Sequence, residues 1–228
     1  AEKRKALEAW ERRLHRIDAD EPAVRARAAF ALASVQDSAA APGLLSRLTD
    51  GVPIVRTDAA FALAQMPSTS VPGERLLETL RYERDDTMQR YLIATLGKTG
   101  DTASLRALLD LGLPPSRHAD VALALARYGM RGVTDSTASA WLADQLTASD
   151  AWTRRNAAYA FGRVDALSRQ LSGRADSIRQ ALDTYAPDDP AAMHLIRALG
   201  TVGDTTDVGR LIDWLQNGTD WRTRVNTA

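Results

Sequence analysis

Residues 22–33 read PAVRARAAFALA, and residues 54–64 read IVRTDAAFALA. The second stretch repeats the first at an offset of thirty-one residues and keeps its valine, arginine, alanine pair and phenylalanine. Looser copies follow at 88–97, 117–126, 153–162 and 191–200, and another begins at Thr223. A fixed recurrence of this length is the sequence signature of a stacked repeat array. We therefore predict a repeat protein.

Each copy has the pattern of two helices joined by an acidic turn. Leu44, Leu45 and Leu48 line a short first helix, Asp50-Gly51 breaks it, and Pro53 begins the second. Aromatic residues make up only 6% of the chain, and there are no long valine or isoleucine runs, which favours an all-helical structure. We predict an all-α fold, an α-α superhelix of about seven helix pairs with the last one truncated, in a single domain over residues 1–228.

Two segments depart from the repeat. Residues 2–18 are predicted to form an opening helix with Leu7, Trp10, Leu14 and Ile17 on one face. Residues 165–174 stretch the period, so we expect a longer loop or an extra turn there. The chain also begins without a methionine and stops at Ala228 within a repeat, and we expect a piece of a longer protein.

Charge and composition narrow the classes of function. The 29 basic and 29 acidic residues balance, whereas a protein that coats duplex nucleic acid needs a net positive footprint. The absence of cysteine excludes thiol catalysis and cysteine-ligated zinc, and it suits cytosolic and exported proteins equally. No apolar run is long enough for a transmembrane helix. We expect a monomer that binds neither nucleic acid nor a cofactor, and the compartment stays open.

The consensus, an acidic turn followed by V-R-x-x-A-A-x-A-L-A/G, resembles HEAT repeats, in particular the short bacterial kind called PBS-lyase-like HEAT repeats. Its clearest matches are Val24-Arg25 with the alanine pair at 28–29, the equivalent residues at 55–63, and Arg154 with the pair at 157–158. The resemblance implies a right-handed superhelix whose second helices line a concave surface, and a role as a binding scaffold. The N-terminal part is also similar to the HEAT segment attached to cyclophilin-type prolyl isomerases of some exported bacterial proteins.

Aligning the second helices places residues in columns, and two columns are candidates for a binding face. One contains Phe30, Phe61, Ala94, Leu123, Tyr159 and Arg197. Its neighbour, one turn earlier, contains Arg27, Asp58, Tyr91, Asp120, Asn156 and His194. An apolar stripe beside a mixed-charge stripe suits a bound peptide or helix. In the alternative interpretation, Phe30 and Phe61 complete the core between repeats.

A further column is occupied mainly by arginine and has an internal role in our interpretation. It contains Arg25, Arg56, Gln89, His118, Arg154 and Arg224. The planar guanidinium forms several charged hydrogen bonds at once, so we predict a ladder that ties each repeat to the acidic turns at Asp20, Asp50 and Asp150. The alternative is a track that binds anions.

The sequence shows no catalytic or metal-binding constellation. His15, His118 and His194 are scattered, and none stands beside a glutamate as in iron-binding HEAT hydroxylases, so no metal site is predicted. Gly97-Lys98-Thr99 matches the end of a P-loop, but Leu92 stands where the motif requires glycine.

Our first hypothesis is a non-catalytic scaffold that binds a protein or peptide. The alternatives are an accessory region of a larger enzyme, such as a cyclophilin-type prolyl isomerase, or a HEAT-fold enzyme such as a bilin lyase or an alkylpurine DNA glycosylase. A glycosylase needs a basic groove, and the overall neutrality together with the mixed charges of Arg27, Asp58 and Asp120 speaks against it.

Overall fold

The computed structural model describes residues 16–67, 71–171, 175–186, 188–218 and 221–227. These residues form helices, turns and connecting segments, and no β-strand occurs among them. They belong to two compact units, Ala1–Gly100 and Asp101–Ala228. The predicted all-α repeat fold is confirmed, while the single domain over residues 1–228 stays a prediction.

The first unit alternates short and long helices. A short 3₁₀ turn, Ser38–Ala40, leads into the short helix α2 (Ala41–Arg47). The long helices α1 (Pro22–Val35), α3 (Pro53–Gln65) and α5 (Asp86–Thr99) are the second helices of successive repeats, and α3 packs against both of the others. The predicted opening helix over 2–18 lies almost entirely outside the described residues. The helices are α1 (Pro22–Val35), α2 (Ala41–Arg47), α3 (Pro53–Gln65), α4 (Gly73–Tyr82) and α5 (Asp86–Thr99).

The second unit also consists of pairs of first and second helices, with one additional short helix, α10 (Asp165–Gln170). Its second helices are α7 (His118–Met130), α9 (Ala151–Arg163), α12 (Ala192–Val202) and α14 (Trp221–Thr227), and each packs against the next in that order. The addition is α10, which is the extra turn expected within residues 165–174. The helices are α6 (Thr102–Asp110), α7 (His118–Met130), α8 (Ser136–Gln145), α9 (Ala151–Arg163), α10 (Asp165–Gln170), α11 (Ala175–Thr184), α12 (Ala192–Val202), α13 (Val208–Asn217) and α14 (Trp221–Thr227).

Prolines and aspartates determine where the helices begin. Proline occupies the first turn of α1 and α3, where its missing N–H costs nothing. Asp85, Asp101, Asp135 and Asp150 are N-caps whose carboxylates accept hydrogen bonds from backbone N–H groups of the first turn. The acidic turns of the repeat are therefore mainly capping sites.

Small residues let the second helices approach one another. The alanine pairs at 28–29, 59–60 and 157–158 are buried, and Leu32 and Leu63 are fully buried in successive layers. The rings of Phe30 and Phe61 lie in equivalent places, with centroids 5.5 Å apart. This confirms the repeat register in the first unit. In the described part of the chain, no helix has the length and apolarity needed to cross a membrane.

Candidate functional site

Five of the six positions of the arginine column, residues 25, 56, 89, 118 and 154, form the predicted internal ladder. Arg25 donates from Nε to Asp50 at 2.8 Å and from a terminal nitrogen to the carbonyl oxygens of Ala19 and Asp20. Arg56 repeats this arrangement, with a bond to the carbonyl of Asp50 at 3.0 Å and one to the Glu83 carboxylate at 3.2 Å. Each guanidinium thus closes the turn before its own helix and reaches the turn of the next repeat.

The same positions keep this role when arginine is replaced. Gln89 donates to the carbonyl of Glu83 at 2.9 Å, and a ring nitrogen of His118 lies 3.2 Å from the carbonyl of Leu113. Arg154 donates to the carbonyls of Ala148 and Ser149. One expected partner was wrong: the Asp150 carboxylate accepts bonds from Thr153, because it caps α9.

The ladder changes the acidity of its carboxylates. The hydrogen bond from Arg25 lowers the pKa of Asp50 to about 2, against the opposing effect of burial. Hydrogen bonds from backbone N–H groups and from Arg56 also lower the pKa of Glu83, although burial opposes them. These side chains are engaged within the fold, so the interpretation as an anion track is not needed to explain them.

Three aromatic rings of the first unit form a continuous stack, which we call the aromatic stack: Phe30, Phe61 and Tyr91. Phe30 and Phe61 are nearly parallel, with an interplanar angle of 18°, and the centroids of Phe61 and Tyr91 lie 5.3 Å apart at 59°. Phe30 is 47% exposed, and the other two rings are partly buried. The interpretation of Phe30 as core is therefore wrong, since much of its ring faces solvent.

The stack also corrects the column assignment. Phe61 meets Tyr91 of the neighbouring column, whereas the expected next member, Ala94, has no ring to offer. Packed helices cross at an angle, so the residue opposite a given position can move by one turn from layer to layer. Beside the stack, Arg27 is exposed and Asp58 is partly buried. Burial raises the pKa of Asp58, and the charge of Arg27 opposes that rise.

In the second unit, some of the predicted binding-face residues form bonds within the fold, and others are exposed. Asn156 donates to the carbonyl of Ala119 at 2.9 Å and so links α9 to α7. Asp120 pairs with the buried Arg117 at 3.3 Å. Leu123 is partly buried and Arg197 is exposed. Asn156 therefore has a structural role that the column analysis did not anticipate.

Tyr159 and His194 form an edge-to-face pair across α9 and α12. Their centroids lie 5.3 Å apart and their planes meet at 86°. The two helices approach so closely at Gly162 that a Cβ there would lie 2.7 Å from the carbonyl oxygen of His194. Burial, and then the positive charges of Arg155, Arg163 and Arg197, lower the pKa of His194 to about 4.

Sequence reasoning missed two of those arginines, Arg155 and Arg163, because the alignment followed only selected positions of each helix. The signal was present: α9 and α12 contain arginines and no acidic residue. Trp152 was also missed. It is 63% exposed, and the guanidinium of Arg155 lies 5.4 Å from its ring centroid.

Several clefts lie away from the predicted face. One of about 580 Å³ is lined by residues that include Arg56, Tyr82 and Glu83, and one of about 340 Å³ includes Tyr185 and Trp214. A cleft of about 120 Å³ contains His118 and Trp141. None of the candidate face residues lines these three clefts.

Two other predictions can be placed. The ammonium of Lys98 donates to the carbonyl of Ala64 near the end of α5, which is a structural bond between second helices. Among the described residues, no group of three or more His, Cys, Asp or Glu side chains has the arrangement of a metal site. His15 lies outside the described residues.

Comparisons with known proteins agree with this architecture. A family model described as HEAT repeats matches residues 8–90. Two crystal structures of engineered proteins from a structural genomics consortium are similar in fold. The first has a TM-score of 0.58 and 19% sequence identity, and the match covers 84% of this chain and 95% of the engineered one. The second has a TM-score of 0.61 and 18% sequence identity, and the match covers 95% of this chain and 66% of the engineered one. A comparison with curated proteins found no match.

The family model and the two engineered structures point to the same class of repeat fold. Residues 8–90 match HEAT repeats, as the consensus predicted, and the engineered proteins share the helical repeat fold of the chain. Neither finding supports the resemblance to cyclophilin-linked HEAT segments.

Proposed function

We propose that this protein is a non-catalytic scaffold that binds a protein or peptide on the faces of its second helices. The aromatic stack carries the proposal. Phe30 and Phe61 lie on consecutive second helices, 5.5 Å apart, and nearly half of the Phe30 ring is exposed. Exposing such rings is unfavourable in water, and large aromatic side chains dominate the energetics of many interfaces.

The chemistry around the stack suits an amphipathic partner. Phe30, Phe61 and Tyr91 present apolar rings. Arg27 and Asp58, each three residues before one of the phenylalanines, supply charges of opposite sign. A bound helix or extended segment would place an apolar side chain on the rings and polar groups on these two charges. The predicted residues of the second unit, Tyr159 and His194 among them, extend the proposal to that unit's own second helices.

A selection from a random peptide library against the whole chain tests this proposal. Peptides that bind the unaltered protein are measured again with F30A and with F61A. Loss of an aromatic anchor at an interface typically weakens binding by more than about tenfold, since such a residue contributes on the order of 2 kcal/mol.

The matched control is Tyr82, which is 74% exposed and lies on α4, the first helix of its pair. Y82A removes a comparable exposed ring outside the proposed face, and we expect no change in affinity. Selected peptides that bind F30A and F61A as tightly as the unaltered protein would argue against the aromatic stack as a docking site. Circular dichroism of each variant separates lost binding from lost folding.

The proposal applies to this chain and leaves open that the chain is the accessory region of a larger enzyme. The alkylpurine glycosylase alternative is separated by salt-dependent binding to duplex DNA, because a DNA enzyme must neutralise several phosphates. Duplex binding with micromolar or tighter affinity at physiological salt would contradict the scaffold proposal.

A further inference from the structure

Charge is unevenly distributed in the second unit, although the chain as a whole is neutral. Helices α9 and α12 together contain Arg154, Arg155, Arg163 and Arg197, and neither contains an acidic residue. Arg154 belongs to the internal ladder and bonds backbone carbonyls. The other three are exposed, and we call them the arginine patch.

The three arginines of the patch lie on the same two helices as the Tyr159–His194 pair. Arg155, Tyr159 and Arg163 are four residues apart, so they lie along one side of α9 at intervals of about 6 Å. Arg197 lies three residues after His194 on the neighbouring helix α12, whose backbone contacts α9 at Gly162. The positive charges of all three arginines act on His194.

The patch has no internal counter-charge. Among the described residues, Arg155, Arg163 and Arg197 form no ion pair, while Arg25, Arg56 and Arg179 each hold a carboxylate. The nearest helix on the other side, α7, adds Arg127, whose charge interacts with Tyr159 and Asp120. Asp120 is itself paired with Arg117. The surface around Tyr159 is therefore positive with an aromatic centre.

We propose that the arginine patch binds an acidic segment of a partner protein. Two carboxylates of that segment would accept hydrogen bonds from Arg155 and Arg163, and an apolar residue between them would lie on Tyr159. The two arginines are about 12 Å apart along the helix, a distance that an extended peptide spans with about four residues. Arginine suits this role, because its fork donates two parallel bonds to one carboxylate.

A peptide fits these observations better than a nucleic acid does. A strand of nucleic acid needs a continuous positive track. The arginine column could have formed such a track, but Arg25, Arg56 and Arg154 are hydrogen-bonded within the internal ladder. The patch itself covers only two helices. The inference rests on the proposed scaffold function and names the chemistry of the partner for the second unit.

The test uses the whole chain and a fluorescein-labelled peptide with two glutamates separated by about three residues, one of them leucine. Fluorescence anisotropy measures its affinity for the unaltered protein and for R155Q, R163Q and R197Q. We expect R155Q and R163Q each to weaken binding by roughly tenfold, and R197Q to weaken it less, because Arg197 holds no carboxylate of the peptide. The lysine variant R163K should retain part of the affinity. A peptide with lysine in place of glutamate should not bind.

The matched control is R75Q, which neutralises an exposed arginine on the first helix α4 of the other unit. Equal losses in R75Q and R163Q, or no loss in either, would overturn the inference. A single-stranded DNA oligonucleotide that bound more tightly than the acidic peptide, with the same sensitivity to R163Q, would also overturn it. Library peptides that need Phe30 and Phe61 would show that the scaffold function stands even if the acidic peptide does not bind.

Discussion

The carboxylate of Asp50 joins two successive repeats. Its side chain is only 3% exposed and accepts hydrogen bonds from Arg25 of α1, from Arg47 of α2 and from the backbone N–H of Val52. The single aspartate therefore both orders its own turn and fixes the preceding second helix.

We predict that D50N lowers the stability of the protein. Asparagine keeps an acceptor for Val52 but loses the charge that Arg25 requires, and losing a charged hydrogen bond costs about 1.5–3 kcal/mol. Urea denaturation measures this loss. D18N is the control, since Asp18 pairs with Arg47 but is 66% exposed, and we expect a change near zero. Equal effects of the two substitutions would contradict the role of Asp50.

The same carboxylate gives a pH dependence. In the folded protein the pKa of Asp50 is about 2, below the value of about 3.9 of an unfolded aspartate. Because the folded-state pKa is lowered, the stabilisation is fully present above about pH 4 and is lost as pH falls towards 2. In D50N this part of the acid sensitivity should disappear, so the difference in unfolding free energy between the two proteins should narrow in acid.

Gly162 shows how one missing side chain decides a helix contact. We predict that G162A destabilises the protein by about 1–3 kcal/mol, because its Cβ would lie 2.7 Å from the backbone oxygen of His194. Gly200 lies on α12, and a Cβ added there would meet nothing within 4 Å, so G200A should instead stabilise the protein by up to about 1 kcal/mol. Thermal unfolding compares the two, and changes of the same sign would refute the close approach.

At the scale of elements, the second helices are held together by apolar residues in equivalent layers. Ala59 and Leu63 of α3 are both fully buried, between α1 and α5. Neither helix of a pair buries its apolar face alone, so each layer depends on its neighbours.

We predict that A59L and L63D both lower the melting temperature. Leucine at position 59 overfills a seam at a cost of about 1–3 kcal/mol, and aspartate at position 63 loses the leucine contacts and buries a charge. The control I54D makes the same polar change at a 56% exposed position of α3 and should have little effect. An unchanged melting temperature for both A59L and L63D would contradict the repeat register.

At the scale of the molecule, each unit presents a different chemistry on its second helices. The first carries the aromatic stack, with charges of both signs beside it. The second carries the arginine patch around Tyr159 and His194. The net charge of zero conceals this difference, because it sums the charges of the whole chain. Two kinds of contact on one chain are what a scaffold of this proposed type would use.

The sequence alone determined the helical repeat and its register. A period of about thirty residues with alanine pairs at constant places can bury an apolar face only by stacking, and the recurrence at Phe30 and Phe61 already identified equivalent positions. The ladder was also predictable, since arginine recurs at one position beside acidic turns.

Only the tertiary structure decided which of those positions face solvent and which bond within the fold. It showed Phe30 exposed, Asn156 bonded to a neighbouring helix, and Tyr91 joined to Phe61 from another column. Helix crossing angles and close approaches such as that at Gly162 arise from packing between helices, and a column of aligned letters contains no such angle.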